Sequence, residues 1–157
     1  ALKEYAHWLP GEAAEAFAAK ARDISEVLVE ADLPLGELKE TVAYHDACHL
    51  VNAQNVRREP RDLLSAIPGV QLCELPDAHL CCGSAGSYNL DQPKIAAALG
   101  EKKARAVLAT GAEVLATGNI GCLTQLRAHF AKLGSNLPVR HTIQVLRDAY
   151  NARANQG

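Results

Sequence analysis

The chain has 157 residues, 48% of them apolar and 22% charged, with a net charge of −2. That length and composition suit one globular domain with its own core, and exclude a disordered or fibrous chain. The near-neutral balance offers no general attraction to nucleic acid or anionic lipid, and no apolar run approaches the roughly 20 residues of a membrane span.

Residues 12–30 read as one helix, because Ala13, Phe17, Ala21, Ile24, Leu28 and Ala31 recur every three or four positions. Pro34 and Gly36 end it. Tyr5 and Trp8 are expected to pack within this N-terminal helical segment, residues 1–40. From residue 41 the rhythm changes. Residues 41–45 (TVAYH) form a first strand, and residues 54–67 a helix with Leu63, Leu64 and Ile67 on one side, stopped by Pro68-Gly69. Residues 70–74 form a second strand. A helix runs from Pro93 to Ala109, with Pro in its first turn and Gly111 as its stop. Residues 113–117 form a third strand, 118–121 a turn and 123–133 a helix. Residues 139–141 form a fourth strand, and 142–150 the last helix with Thr142 as its cap. Strands alternating with helices over 41–157 predict an α/β fold: a three-layer, Rossmann-like domain whose mostly parallel four-stranded sheet is flanked by helices.

Five cysteines, an odd number with no secretion signal, point to a reducing, cytoplasmic setting and to metal or redox use. The adjacent pair Cys81-Cys82 on the run Gly83-Ser84-Ala85-Gly86 carries the most information. Neighbouring Cα atoms lie about 3.8 Å apart, short of the roughly 4.4–6.8 Å of an ordinary disulfide. Cys48, Cys81, Cys82 and Cys122 each follow a predicted strand. In an open parallel sheet the carboxyl ends of the strands share one edge, where ligands bind, so the four thiols are expected to converge there. Backbone N–H groups of residues 83–86 are placed to hydrogen-bond the sulfurs. Four thiolates suit a four-iron cluster or a tetrahedral zinc equally. Inert burial, or dithiol chemistry of the Cys81-Cys82 pair, are the competing readings. Cys73 lies inside a strand and reads as ordinary core.

His45, His49, His79 and His141 fall near the same edge, with His45 and His141 the candidates for moving protons. Asp46 reads as a cap, and Arg57, Arg58 and Arg61 as a solvated helix face. No nucleophile motif, phosphate loop or GxGxxG fingerprint is present.

The order Cys48, Cys81-Cys82-Gly83, Cys122 is carried by the stretches YHDACHL (44–50), HLCCGSAGSYN (79–89), GNIGCLTQL (118–126) and VRHTIQVL (139–146). This pattern resembles the cysteine-rich CCG domain of the heterodisulfide reductase B-subunit type. Within that family it is most similar to the C-terminal part of glycolate oxidase iron–sulfur subunits, from residue 41 almost to the end. Residues 20–30 (KARDISEVLVE) are similar as well. The family pattern closes with Cys-x-x-Cys, whereas this chain has Asn119-Ile120-Gly121-Cys122.

The resemblance implies an electron-transfer subunit whose Cys48, Cys81, Cys82 and Cys122 bind a 4Fe-4S cluster. Gly83, Ser84, Gly86, Asn119, Gly121, His45 and His141 would support the site. It implies a complex that oxidises glycolate to glyoxylate, with FAD on a partner flavin subunit and a membrane quinone as onward acceptor. Such a complex is expected in the cytoplasm, peripheral to the inner face of the plasma membrane. The family's subunit also carries an N-terminal ferredoxin-like region. Its Cys-x-x-Cys-x-x-Cys-x-x-x-Cys-Pro runs are not in this sequence, which opens on Ala1 and reads as a piece of a longer protein. Two alternatives stand beside this: a structural zinc module of the same complex, and the equivalent subunit of a lactate-oxidising system. The GNIGC and VRH stretches weigh toward glycolate.

Overall fold

The computed structural model describes residues 2–78 and 80–155. The N-terminal segment holds a 3-10 turn Leu2–Glu4 and helices α1 Tyr5–Trp8, α2 Glu12–Lys20 and α3 Ile24–Leu28. Then follow β1 Thr41–His45, a π-helical turn His49–Ala53, α4 Glu59–Ser65, β2 Gln71–Glu74, α5 Tyr88–Asp91 and α6 Pro93–Ala109. The chain closes with β3 Val114–Thr117, α7 Ile120–Lys132, β4 Val139–His141 and α8 Thr142–Ala154.

The four strands form one sheet in the order β2-β1-β3-β4, and every pairing is parallel. The inner strands β1 and β3 are apolar on both faces, as a sheet covered on both sides requires. Val42 and Tyr44 of β1 and Val114 and Ala116 of β3 pack with Leu63, Leu64 and Ile67 around α4 and with Val145, Leu146 and Ala149 of α8. The alternate residues Ala43 and Leu115 pack with Ala104 and Val107 of α6 and with Leu123, Leu126 and Phe130 of α7. The alternation is the period-two pleat of the strands read out as two cores, which gives the expected three layers. The α6 stripe Ala96, Gly100, Lys103, Ala104 and Val107 recurs every three or four residues. Gly111, at φ 71°, turns the chain out of that helix.

Local departures from the sequence expectations have identifiable causes. The helix expected over 12–30 is broken at residues 21–23. Asp23 accepts the Ser25 N–H at 2.9 Å, and the Asp23 N–H donates to Glu26 at 2.6 Å. This capping box starts a new helix. The expected apolar face is also wrong: Phe17 and Ile24 are exposed, and Ala14 is the buried residue of α2. Tyr5 meets Phe17 edge-on at 5.2 Å, but Trp8 is 78% exposed and packs little. The helix expected from residue 54 begins at Glu59, because Asn55 sits in the left-handed region at φ 56°. The last helix is capped not by Thr142 but by His141, whose Nδ1 accepts the Ile143 N–H at 3.2 Å.

The N-terminal segment is tied to the rest through Lys3, which pairs with Glu26 and reaches the Gln54 carbonyl. The Gly36 N–H also donates to the Ala149 carbonyl at 2.9 Å. Among the described residues no helix is long and apolar enough to cross a membrane.

Candidate metal centre

Three strand ends deliver the cysteines. Cys48 comes three residues after β1, in helical backbone at the start of the π-helical turn. Cys81 and Cys82 occupy the loop between β2 and α5, and Cys122 lies in the first turn of α7. All four line one cavity of about 90 Å³, together with Ala47, His49, Ser84, Ala85, Gly86 and Asn119. Cys82 and Cys122 are buried, Cys48 and Cys81 half-buried, and none is in a disulfide. Cys73 is half-buried in β2 and packs against the core on the α6/α7 face.

The loop is shaped by backbone that only glycine tolerates. Gly83 has φ +83°, and a Cβ there would stand 2.2 Å from the Ala96 carbonyl oxygen of α6. The Gly83 N–H points at Cys81 Sγ, 3.3 Å away. Behind the loop, the buried Lys103 donates to the Asp77 carbonyl at 2.7 Å. Burial lowers the pKa of this ammonium, with Asp77 opposing. Gly121 matters for a different reason. It belongs to helix α7 rather than to the expected turn, and a Cβ there would lie 2.7 Å from Ser84 Oγ. The bare α-carbon lets the start of α7 close against the double-cysteine loop, and so brings Cys122 to Cys82.

Asn119 is the N-cap of α7. Its Oδ1 accepts from the Gly121 N–H at 2.9 Å and the Cys122 N–H at 3.2 Å, which orients the turn that carries Cys122. Asn119→Ala is expected to cost about 1 kcal/mol, a fall in Tm of roughly 2–4 °C for a chain of this size. Thermal unfolding followed by circular dichroism checks this, and Asn119→Asp should restore most of the loss.

Arg61 is not part of a solvated face. Its guanidinium grips Asp46 at 2.8 and 2.7 Å and Glu74 at 2.7 and 2.9 Å, and lies 4.8 Å from the Tyr44 ring centre. It thereby fixes the segment between β1 and Cys48 against β2 and α4. Asp46, expected to act as a cap, is instead the anion of this pair.

The electrostatics of the thiols are uneven. Cys122 beside it, then His45 and the Ser84 N–H, pull the Cys82 thiol well below the usual range against the cost of burial. Cys122 is pushed up, first by its hydrogen bond to Cys82 and then by burial. Within this pair the thiolate is favoured at Cys82 over Cys122. Burial, and then Cys81 next to it, raise Cys48. Thiolates are the metal-binding form, and one is already preferred at the deepest position.

The four histidines named from the sequence separate in space. His45 is fully buried at the end of β1. One of its ring nitrogens and the sulfurs of Cys82 and Cys122 all lie within 4.8 Å of one another, the only such group of potential ligands among the described residues. His49 is exposed at the rim of the cavity. His141 spends Nδ1 on capping α8, which accounts for it structurally. His79 lies outside the described residues.

An all-parallel three-layer sheet that gathers four thiols from three strand ends, two of them adjacent, defines a cysteine-rich class of domain. The chain belongs to the family described as Cysteine-rich domain (CCG), whose pattern matches residues 42–127, more than half of the chain. Among curated proteins it is 38% identical over 159 residues to a probable glycolate oxidase iron–sulfur subunit of Bacillus subtilis, covering 94% of this chain and 36% of that protein. It is 36% identical over 157 residues to the glycolate oxidase iron–sulfur subunit of Escherichia coli, covering 94% and 37%. It is 31% identical over 154 residues to lactate utilization protein A of Oceanobacillus iheyensis, covering 92% and 63%. The chain thus spans little more than a third of the length of the two glycolate oxidase relatives.

Proposed function

We propose that this domain is the electron-transfer part of an oxidoreductase subunit, with Cys48, Cys81, Cys82 and Cys122 holding an iron–sulfur cluster of the 4Fe-4S type. The observation that carries the reading is the convergence of all four thiols on one cavity. A cluster bound there supplies one-electron uptake and release. The chain's own residues do the rest. Cys82 offers a thiolate deep in the site. The N–H groups of Gly83 and Ser84 reach toward Cys81 and Cys82 and stabilise charge on sulfur. The start of α7, capped by Asn119, adds favourable backbone dipoles beside Cys122.

A single zinc with four thiolates fits less well. Donors on one tetrahedral ion crowd to about 3.8 Å from one another, roughly 1.6 times a Zn–S bond. Among the described residues no four cysteines form such a group, since Cys48 and Cys81 stand outside the tight set. A spread of sulfurs around one cavity suits a polynuclear centre.

The finer reading is a glycolate oxidase subunit, resting on two relatives of that name that each cover 94% of this chain. In it, a flavin subunit takes two electrons from glycolate and passes them singly through this domain toward a quinone. The full subunit would complete the path with its N-terminal ferredoxin-like region, and residues 1–40 would join that region to the cysteine-rich domain at 41–157. Association with the inner face of the membrane would come through the complex.

The test is a rapid-mixing experiment on the full complex. Glycolate should reduce the flavin first and the iron centres after it, and a complex built with Cys122→Ser should still reduce flavin but lack the part of the iron absorbance change that this domain contributes. Reduction by lactate but not by glycolate would move the substrate assignment. An iron centre that no 2-hydroxy acid reduces would overturn the electron-transfer role.

A further inference from the structure

We infer that His45 is a nitrogen donor to the metal centre, at the end held by Cys82 and Cys122, so that the site is a mixed cysteine–histidine centre. This rests on the proposed cluster site.

His45 ends the interior strand β1 and is 0% exposed. Neither ring nitrogen makes a hydrogen bond of ordinary geometry, although the ring stands close enough to Cys82 to favour its thiolate. A neutral imidazole carries one N–H and one lone pair, and each left unpaired in the interior costs about 1–3 kcal/mol. Buried histidines in protein cores are ordinarily satisfied, so a ring whose nitrogens make no well-formed hydrogen bond, and which leans toward Cys82, calls for a further partner at that place.

Position identifies that partner. The face of β1 that carries His45 also carries Ala43, which packs in the same core as Cys82 and Cys122. The ring nitrogen and the two sulfurs lie within 4.8 Å of one another. The imidazole is therefore the protein nitrogen placed to reach the end of the centre that Cys82 and Cys122 hold.

The second ring nitrogen has a candidate of its own. Metal-bound histidines usually donate the remaining N–H to an oxygen. Thr117 lies directly across the pairing from His45, on the same face of the sheet, and its Oγ1 is likewise buried without a partner. One metal bond and one bond to Thr117 would settle three orphaned atoms together. As a neutral donor beside the four thiolates, the imidazole adds no negative charge to the centre, whereas a thiolate at position 45 would add one and lower the reduction potential.

The test is pulsed EPR on protein purified without oxygen and poised in its paramagnetic state, with 15N introduced only at histidine. The expected result is a strongly coupled 14N in the unlabelled protein that becomes a 15N pattern on labelling. The coupling should persist in His49→Gln and His141→Asn and vanish in His45→Leu. His45→Cys should keep the iron and shift the midpoint potential downward. Iron and sulfide present without a coupled histidine nitrogen would overturn this inference alone, as would a signal that survives in His45→Leu or disappears in His49→Gln or His141→Asn. A protein that holds neither iron nor sulfide would overturn the cluster reading and this inference together.

Discussion

Cys82→Ser protein purified without oxygen is expected to retain almost none of the wild-type iron and sulfide. Cys82 is the deepest of the four thiols, 1% exposed, and the one whose thiolate is favoured by Cys122, His45 and the Ser84 N–H. Serine at that position offers an alcohol that stays protonated and binds soft metal poorly. Loss of an outer-shell partner alone typically weakens a metal site by about 10–100-fold, so loss of a direct ligand should exceed that range. Cys73→Ser is the internal control. Cys73 lies in β2 and does not line the cavity, and its replacement should leave iron, sulfide and colour unchanged while lowering stability slightly. Equal metal loss in both variants would mean that the effect is general unfolding rather than ligation.

Gly83→Ala is expected to be the most destabilising single-methyl change near the site. Two costs add. The residue sits at φ +83°, where an L side chain costs about 1–2 kcal/mol. The new Cβ would also press on the Ala96 carbonyl of α6 at 2.2 Å, backbone that cannot swing aside, and overpacking of this kind costs roughly 1–3 kcal/mol. The sum is about 2–5 kcal/mol, or a fall in Tm of order 4–20 °C for a chain of this size. Gly86→Ala isolates the first cost. Its φ is +54°, and nothing lies within 4 Å of the added carbon, so only about 1–2 kcal/mol should be lost. Thermal unfolding of the two variants side by side checks the ordering, and equal losses would show that the contact with α6 carries no weight.

The sheet was legible because β1 and β3 are buried on both faces. Runs such as VAY and VLA leave no polar alternation that a surface strand would show. Helix α6 was legible because its proline start and glycine stop bracket a long periodic run. The break between α2 and α3 was not legible. Asp23 and Ser25 sit among strong helix formers, and only the reciprocal bonds with Glu26 reveal the new start. The beginning of α7 was hidden for the opposite reason. Gly118 and Gly121 read as a turn, while the requirement on Gly121 comes from Ser84, far away in sequence.

The convergence of the cysteines followed from strand ends in a parallel sheet, a rule of topology that needs no side-chain detail. Arg61 was misjudged because helical periodicity grouped it with Arg57 and Arg58. Its partners Asp46 and Glu74 lie on neighbouring elements that only the fold brings together. From the sequence His45 is only one of four histidines near the sheet edge, a candidate for moving protons together with His141. What the sequence did not disclose was that burial would leave both ring nitrogens without a well-formed hydrogen bond, beside Cys82 and Cys122.

The account turns on whether these four cysteines hold iron. The decisive measurement is the iron, acid-labile sulfide and zinc content of the protein purified without oxygen, read beside its visible spectrum. The account predicts about four irons and four sulfides per chain and a brown colour, in keeping with a four-thiolate cluster. One zinc per chain with no sulfide and no colour would contradict it.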